Sequence, residues 1–393
     1  MLIGIIGAPN KGKSTLFSAL TMNDVAIADY PFTTIDPNSG IAYATHECAE
    51  VKLKVKCRAR NSLCVSGTRM IPVNVIDVAG LVEGAHEGRG MGNQFLNDLA
   101  AADAFMLVVD ASGRTDSSGG AAQHGSAVED AEMVVSELYQ WLSGIIMKHM
   151  PAMSKSKDGV SALEAVLTGL KISRQSVERA IGKCNLTSSN ISWSSADALE
   201  FSRALLDESK PVAIIANKAD AGSDTISNVR ALRERFGDAS VFECSAAIEM
   251  ALRKASSARV ISYLPGSRSF EIIGSGVSPE QKKALDYMLS FLKGSERGTG
   301  VQSALDSIVF KVLDNIVVYP VEDENKYTDH FGNVLPDAIL LKRGSTALDL
   351  AAAIHTDLAK HMLYAVDAVK KMRIGKEQEL HDGDVVKIVS AAR

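Results

Sequence analysis

Short apolar runs alternate with helix-period stretches along much of the chain. Residues 2–6 form a compact apolar run closed by Gly7, which predicts a buried strand. A glycine-rich turn follows, and residues 14–20 predict the start of a helix. Residues 70–76, 105–109, 212–216 and 241–244 are further strand-like runs. Helical patterns at 92–102 and 229–236 lie between them. This alternation predicts a mostly parallel α/β sheet.

Two regions depart from that rhythm. Residues from about 126 to 206 are helical in pattern with no convincing strand, and read as a helical insertion between two sheet strands. Within them, 182–195 is rich in Asn, Ser and Thr and reads as a loop. Beyond Phe310, residues 312–319, 338–341 and 385–389 predict strands, 348–358 a helix, and Asp382-Gly383-Asp384 a turn. This tail reads as a small α+β domain. The expected division is a nucleotide domain in two parts, 1–125 and 207–310, the insertion 126–206 and the tail domain 311–393.

Composition narrows the function classes. With 46% hydrophobic and 23% charged residues, the chain can build ordinary globular cores. A net charge of −5 gives no global attraction to nucleic acid or membrane, so any such site must be local. No apolar run is long enough to span a bilayer, and the first residues lack the basic region of a secretory signal. The expectation is a cytoplasmic protein whose five cysteines are free thiols.

The candidate chemistry lies at strand ends. Gly7-Ala8-Pro9-Asn10-Lys11-Gly12-Lys13-Ser14, followed by Thr15, fits G-x-x-x-x-G-K-[ST] between a strand and a helix. Backbone N–H groups of such a loop and the helix N-terminus attract phosphates. Lys13 is expected to reach the β- and γ-phosphates, and the Ser14 hydroxyl to ligate Mg²⁺. Asp77-Val78-Ala79-Gly80 ends a predicted strand: Asp77 is suited to hold Mg²⁺ through water, and Gly80 to offer its N–H to the γ-phosphate. Asn217-Lys218-Ala219-Asp220 follows another strand. A carboxylate at Asp220 can accept from the guanine N1–H and N2 amino group, a donor pair adenine lacks. Ser245-Ala246 after the next strand would close the pocket beside the guanine O6.

Beyond these motifs, Tyr30-Pro31-Phe32-Thr33-Thr34 with Gly40, and Asp77 through Leu81-Val82-Glu83-Gly84-Ala85 to Gly88, Gly90, Gly92 and Phe95-Leu96, resemble the Obg superfamily, most closely its YchF-type branch in archaeal form. The resemblance implies a P-loop NTPase fold, with a Ras-like mixed sheet and helices on both faces, a helical insertion and a C-terminal TGS domain of ubiquitin-like α+β type. It implies Mg²⁺-dependent hydrolysis of GTP to GDP, with Lys13, Thr34 and Gly80 in catalysis, and Ser14, Thr34 and Asp77 on the metal. Thr33 is the nearby rival of Thr34. Some relatives coordinate K⁺ from the position of Asn10, and relatives usually carry a small apolar residue where Lys11 stands. Lys11 either adds charge near the phosphates or points to solvent. Leu81 replaces the water-orienting Gln of Ras-like proteins, so slow intrinsic turnover is expected. His86 and His124 lie in segments able to approach the phosphates, and read more readily as surface residues. Many YchF-type relatives with a degraded base motif prefer ATP. The intact Asn217–Asp220 motif argues for GTP here. The family's TGS module implies a ribosome or RNA partner, although residues 316–393 hold 10 Lys and Arg against 12 Asp and Glu. An ATPase of the same fold, and an RNA- or ribosome-binding module with a structural nucleotide, are the rival readings.

Two features stand apart. In residues 51–60, Lys52, Lys54, Lys56, Arg58 and Arg60 alternate with smaller or apolar residues, which predicts a strand with one cationic face: an edge strand, or a phosphate-tracking stripe. Cys48, Cys57 and Cys64 lie close in sequence near His46, but no C-x₂-C pair suggests a zinc site.

Overall fold

The computed structural model describes residues 1–22, 38–78, 80, 83–84, 98–156, 158–189, 191–222 and 224–391. The chain divides into two compact units. The first contains Met1–Met22 and Asn74–Ala304, with a short piece at Gly40; the second contains Ile41–Val73 and Leu305–Arg393.

The first seven strands are β1 (Leu2–Ile6), β2 (Ser39–Glu47), β3 (Leu63–Val65), β4 (Thr68–Asp77), β5 (Ala104–Asp110), β6 (Val212–Asn217) and β7 (Val241–Glu243). In the first unit the order is β4-β1-β5-β6-β7, parallel throughout. Helices cover such sheets on both faces, so their strands are apolar end to end. β5 shows this, with all seven residues buried. Lys13–Thr21 packs against Ala246–Ser257, and the long helix Ala127–Met153 packs against Ser195–Ser209 and Thr225–Phe236.

The described residues of 126–206 form helices joined by turns, with no strand among them. Trp141, Phe201 and Trp193 share one continuous core with Ile6, Phe105 and Ile214 of the sheet. Of the expected helix 92–102, residues 98–101 are helical and 92–97 lie outside the described residues. A short antiparallel pair, β8 (Ile261–Ser262) and β9 (Glu271–Ile272), precedes the helix Pro279–Gly294. Ser278 caps that helix through a reciprocal capping box with Gln281, which satisfies two of its orphan N–H groups.

The second unit holds a five-stranded sheet in the order β11-β10-β14-β12-β13. These strands are β10 (Asn315–Val321), β11 (Ile339–Lys342), β12 (Met362–Asp367), β13 (Met372–Ile374) and β14 (Val385–Ser390). β10 and β14 pair in parallel; the other pairs are antiparallel. Leu350 and Ala351 of the helix Ala347–Ile354 pack onto Ile316, Val318 and Val386. Three local expectations are corrected. β10 begins at Asn315 because Ile308–Val312 continues the preceding helix as a wide turn. The expected helix 348–358 breaks at His355, whose extended backbone ends one helix and whose ring caps the next at Asp357. Residues 51–60 are not a strand: Ala49–Leu53 is a short helix ended by Lys54 in left-handed backbone (φ 53). After it, Arg58 and Arg60 donate backbone N–H bonds to Val334 and Pro336, and Lys54, Lys56, Arg58 and Arg60 stay exposed. The alternation of cations is therefore real over 54–60 without a strand ladder. Among the described residues, no helix is long and apolar enough to cross a membrane.

Candidate phosphate and base site

Residues 7–12 form the turn between β1 and the helix Lys13–Thr21. Gly12 occupies the helix N-cap with φ 95 and supplies no side-chain cap, so the first-turn N–H groups are free for a ligand. A methyl carbon at Gly12 would meet Asn217 Nδ2 at 2.3 Å, so glycine is required there for space as well as conformation.

Lys13 is largely buried, and its ammonium donates to the Ala8 carbonyl at 2.9 Å. Burial lowers its pKa, the Asp77 carboxylate opposes this, and the Lys11 charge adds to it. A phosphate at the loop would give this ammonium an anionic acceptor in place of the neutral Ala8 carbonyl it now donates to. Ser14 Oγ donates to Asp77 Oδ2 at 2.8 Å, which joins the helix start to the end of β4. Asp77 Oδ1 is buried with no hydrogen-bond partner. An orphaned carboxylate oxygen beside a helix-start hydroxyl fits the donor set that Mg²⁺ uses at such loops. Gly80 lies close to this point: a Cβ there would sit 3.2 Å from Lys13 Nζ.

The side expected to read a base is built around Asn217. Its Nδ2 donates to the Lys11 carbonyl at 3.0 Å, and its Oδ1 accepts from the Ala246 N–H at 3.0 Å. One buried amide thus ties the phosphate loop to the segment after β7. The Ala246 N–H is engaged by Asn217 rather than turned toward a base. Lys218, in left-handed backbone (φ 63), donates to the Asn10 carbonyl and to Asp110 Oδ2, at 2.9 and 2.8 Å. Asp220 Oδ1 accepts from Ser245 Oγ at 2.6 Å, and Ser245 Oγ also accepts from the Ile248 N–H. A carboxylate has about four acceptor positions, so Asp220 keeps capacity for further donors.

Lys11 neither faces the phosphates nor points to solvent. Its ammonium is buried, donates to Thr115 Oγ1 at 2.9 Å and to the Asp116 carbonyl at 2.6 Å, and pairs with Asp130 Oδ2 at 2.7 Å. Asn10 Nδ2 donates to the Gly119 carbonyl at 3.0 Å. The segment after β5 therefore braces the phosphate loop from outside. Asp110 organises that segment, accepting from Ser112, Thr115 and Lys218. Burial pushes its pKa up, but these hydrogen bonds outweigh burial and hold it below the usual range. Thr115, Asp116, Gly119 and Asp130 have no motif spacing that would have marked them. Glu137 is a further residue without a signal: its Oε1 accepts from the Gly84 N–H at 2.8 Å. His124 is exposed and pairs with Asp224 at 2.8 Å, so it is a surface histidine. Thr33, Thr34, Leu81 and His86 lie outside the described residues. Cys244 is buried, which pushes its thiol pKa up.

Three family profiles match the chain. Residues 2–142 match the 50S ribosome-binding GTPases, 215–323 the G4 motif-containing domain of YGR210-like Obg-like GTPases, and 331–390 the TGS domain. A GTP-binding protein of Methanocaldococcus jannaschii is 48% identical over 100% of both chains. A GTP-binding protein of Schizosaccharomyces pombe is 31% identical over 88% of both. A ribosome-binding ATPase, YchF, of Mycoplasma genitalium is 31% identical over 59% of both. The crystal structure of a GTP-binding protein from Pyrococcus horikoshii superposes with a TM-score of 0.79 at 35% identity, covering 100% of each chain. A YchF GTPase structure from Schizosaccharomyces pombe shares the fold, with a TM-score of 0.59 at 20% identity, covering 99% of this chain and 97% of that one.

Proposed function

The chain belongs to the YchF-type branch of the Obg-like GTP-binding proteins, and from that premise we propose that it binds GTP with Mg²⁺ and hydrolyses it slowly to GDP and phosphate. The observation that carries the reading is the Asn217–Asp220 loop. Asn217 anchors it to the phosphate loop, and Ser245 steadies the Asp220 carboxylate that would accept from guanine. An adenine amino group cannot satisfy that carboxylate in the same way, and a polar group left unpaired in a closed site costs affinity.

In this reading the N–H groups of Ala8 and of residues 10–15 cradle the phosphates, Pro9 having none to give, and Lys13 neutralises the charge that grows between the β- and γ-phosphates. Ser14 and Asp77, already in contact, would hold the magnesium ion, with Thr34 joining them in the triphosphate state. When bound, the metal supplies charge stabilisation on the phosphate oxygens. Gly80 is small enough to let its N–H approach the γ-phosphate beside Lys13. A potassium ion would use the side-chain oxygen of Asn10, whose amide nitrogen is held by Gly119. The division into a nucleotide domain, 1–125 with 207–310, an insertion, 126–206, and a TGS-like domain, 311–393, belongs to the same proposal. So does a switch role at the ribosome in the cytoplasm, supported by the ribosome-binding names of relatives.

The test is calorimetric titration of the purified protein and Asp220→Asn with GDP, GTP, ADP and ATP in Mg²⁺. Tighter guanine binding that the substitution abolishes is the expected result. Equal or tighter ATP binding, unchanged in the variant, would reassign the protein as an Obg-like ATPase. Selective binding without turnover, even with ribosomes and K⁺, would make the nucleotide a structural switch.

A further inference from the structure

Three of the five cysteines meet in the second unit, together with one carboxylate. The ligand atoms of Cys48, Glu50, Cys57 and Cys64 all lie within 4.8 Å of one another. Cys48 is fully buried and immediately precedes the short helix Ala49–Leu53, Glu50 lies in its first turn, Cys57 lies in the extended run beyond it, and Cys64 lies on β3. Folding alone brings them together: the Cys48 N–H donates to the Gly67 carbonyl at 2.8 Å, and Arg58 and Arg60 fix the run that carries Cys57. Glu50 already spans the group, accepting from the Cys57 N–H at 2.7 Å and from the Cys64 thiol at 3.1 Å.

We propose that Cys48, Cys57, Cys64 and Glu50 form a closed structural site for a thiophilic divalent cation, zinc above all. Three sulfurs and one carboxylate oxygen make a four-ligand tetrahedral set. With metal–sulfur bonds of about 2.3 Å, the sulfurs of a tetrahedron stand roughly 3.8 Å apart, so this cluster is about an ångström from closing. The surroundings match the charge of such a site. Three thiolates and a carboxylate outweigh a divalent ion by two negative charges. Arg69 is fully buried in the same unit, its Nε and Nη1 have no hydrogen-bond partner, and its field reaches both Glu50 and Cys57. A buried guanidinium with free donors is costly alone and is compensated beside an anionic metal centre. Binding replaces the three thiol protons, which leave to solvent as the metal–sulfur bonds form. The sequence spacing hid this set because Cys48, Cys57 and Cys64 belong to three different local structures.

The test uses the full chain, purified under reducing conditions without chelator. Elemental analysis should find one zinc per chain, retained through dialysis. Replacement by Co²⁺ should give a near-ultraviolet thiolate-to-cobalt band and the strong visible bands of tetrahedral cobalt. Cys57→Ser with Cys64→Ser should lose metal and bands, whereas Cys184→Ser keeps both. Chelator should lower the melting temperature of the parent and leave the double variant unmoved. A reduced, folded parent that holds no zinc and gives no cobalt–thiolate band overturns the proposal, with no variant needed. A native mass lower by two hydrogens, locating a Cys57–Cys64 disulfide, overturns it as well.

Discussion

Lys11 Nζ lies 2.7 Å from Asp130 Oδ2, with the two side chains only 0% and 2% exposed. This ion pair joins the phosphate loop to the first turn of the helix Ala127–Met153. A basic residue in the middle of a phosphate loop is thus neutralised by the protein itself, and in the proposed reading Lys13 is the loop lysine left to face a nucleotide.

Breaking the pair from either side should be expensive. Lys11→Met or Asp130→Leu leaves a buried group unpaired, with an expected loss of about 3–5 kcal/mol. Lys11→Met combined with Asp130→Leu should restore much of that loss, because both charges leave together. Urea unfolding of the four proteins measures the coupling. Additive losses would show that the pair is not the unit at work.

Ser14 and Asp77 should matter only when magnesium is present. Asp77→Asn keeps an acceptor for Ser14 but removes the charge, and Mg²⁺ affinity of the nucleotide complex should fall about 10–100-fold. Titrating Mg²⁺ into the GDP-bound protein measures this. An unchanged midpoint would place the metal elsewhere.

Asn217 and Asp220 sit in one motif and should fail differently. Asn217→Ala strands the Lys11 carbonyl and the Ala246 N–H, costing about 1–3 kcal/mol of stability as well as nucleotide affinity. Asp220→Ala should remove guanine preference with a stability change within about 1 kcal/mol. Thermal melts and calorimetry on both variants separate the two roles.

The second unit should carry a pH dependence through His46. Burial lowers the pKa of its imidazolium, but the Asp382 hydrogen bond and charge and the Glu47 carbonyl outweigh burial and raise it overall. Asp382 shifts the other way: burial raises its carboxyl, and the His46 and Val317 hydrogen bonds hold it below the usual range. The stabilisation from His46 is full below about pH 6.5 and fades as pH rises through its raised value. That from Asp382 is full above about pH 4 and fades as pH falls. Ring signals of His46 in an NMR titration should give a midpoint above about 6.5, and Asp382→Asn should bring it down. A midpoint unmoved by the substitution would refute the pairing.

Much of the nucleotide site is legible in sequence because its chemistry sits in contiguous motifs at strand ends. Gly12, Lys13, Ser14 and Asp77 need only the spacing of one turn and the end of one strand to be placed. What escapes is held by distant partners. Nothing near Lys11 announces Asp130 or Thr115, and a buried lysine reads in sequence like a solvated one. Residues 51–60 show the opposite failure. Their cations do alternate, but period two marks an exposed extended run as readily as a strand, and the apolar positions before it close one helical turn instead. The same alternation conceals Cys57, which turns inward while its neighbours face water.

The bracing of the phosphate loop by Asn217, Asn10 and Lys11 bears on how a nucleotide arrives. A loop fixed by its own protein has already met the entropic cost of order during folding. Its ligand then does not have to organise its own cradle, and more of the gross contact energy appears as affinity. Release of GDP should accordingly leave a folded, receptive protein, and occupancy should follow the ratio of the two nucleotides in solution.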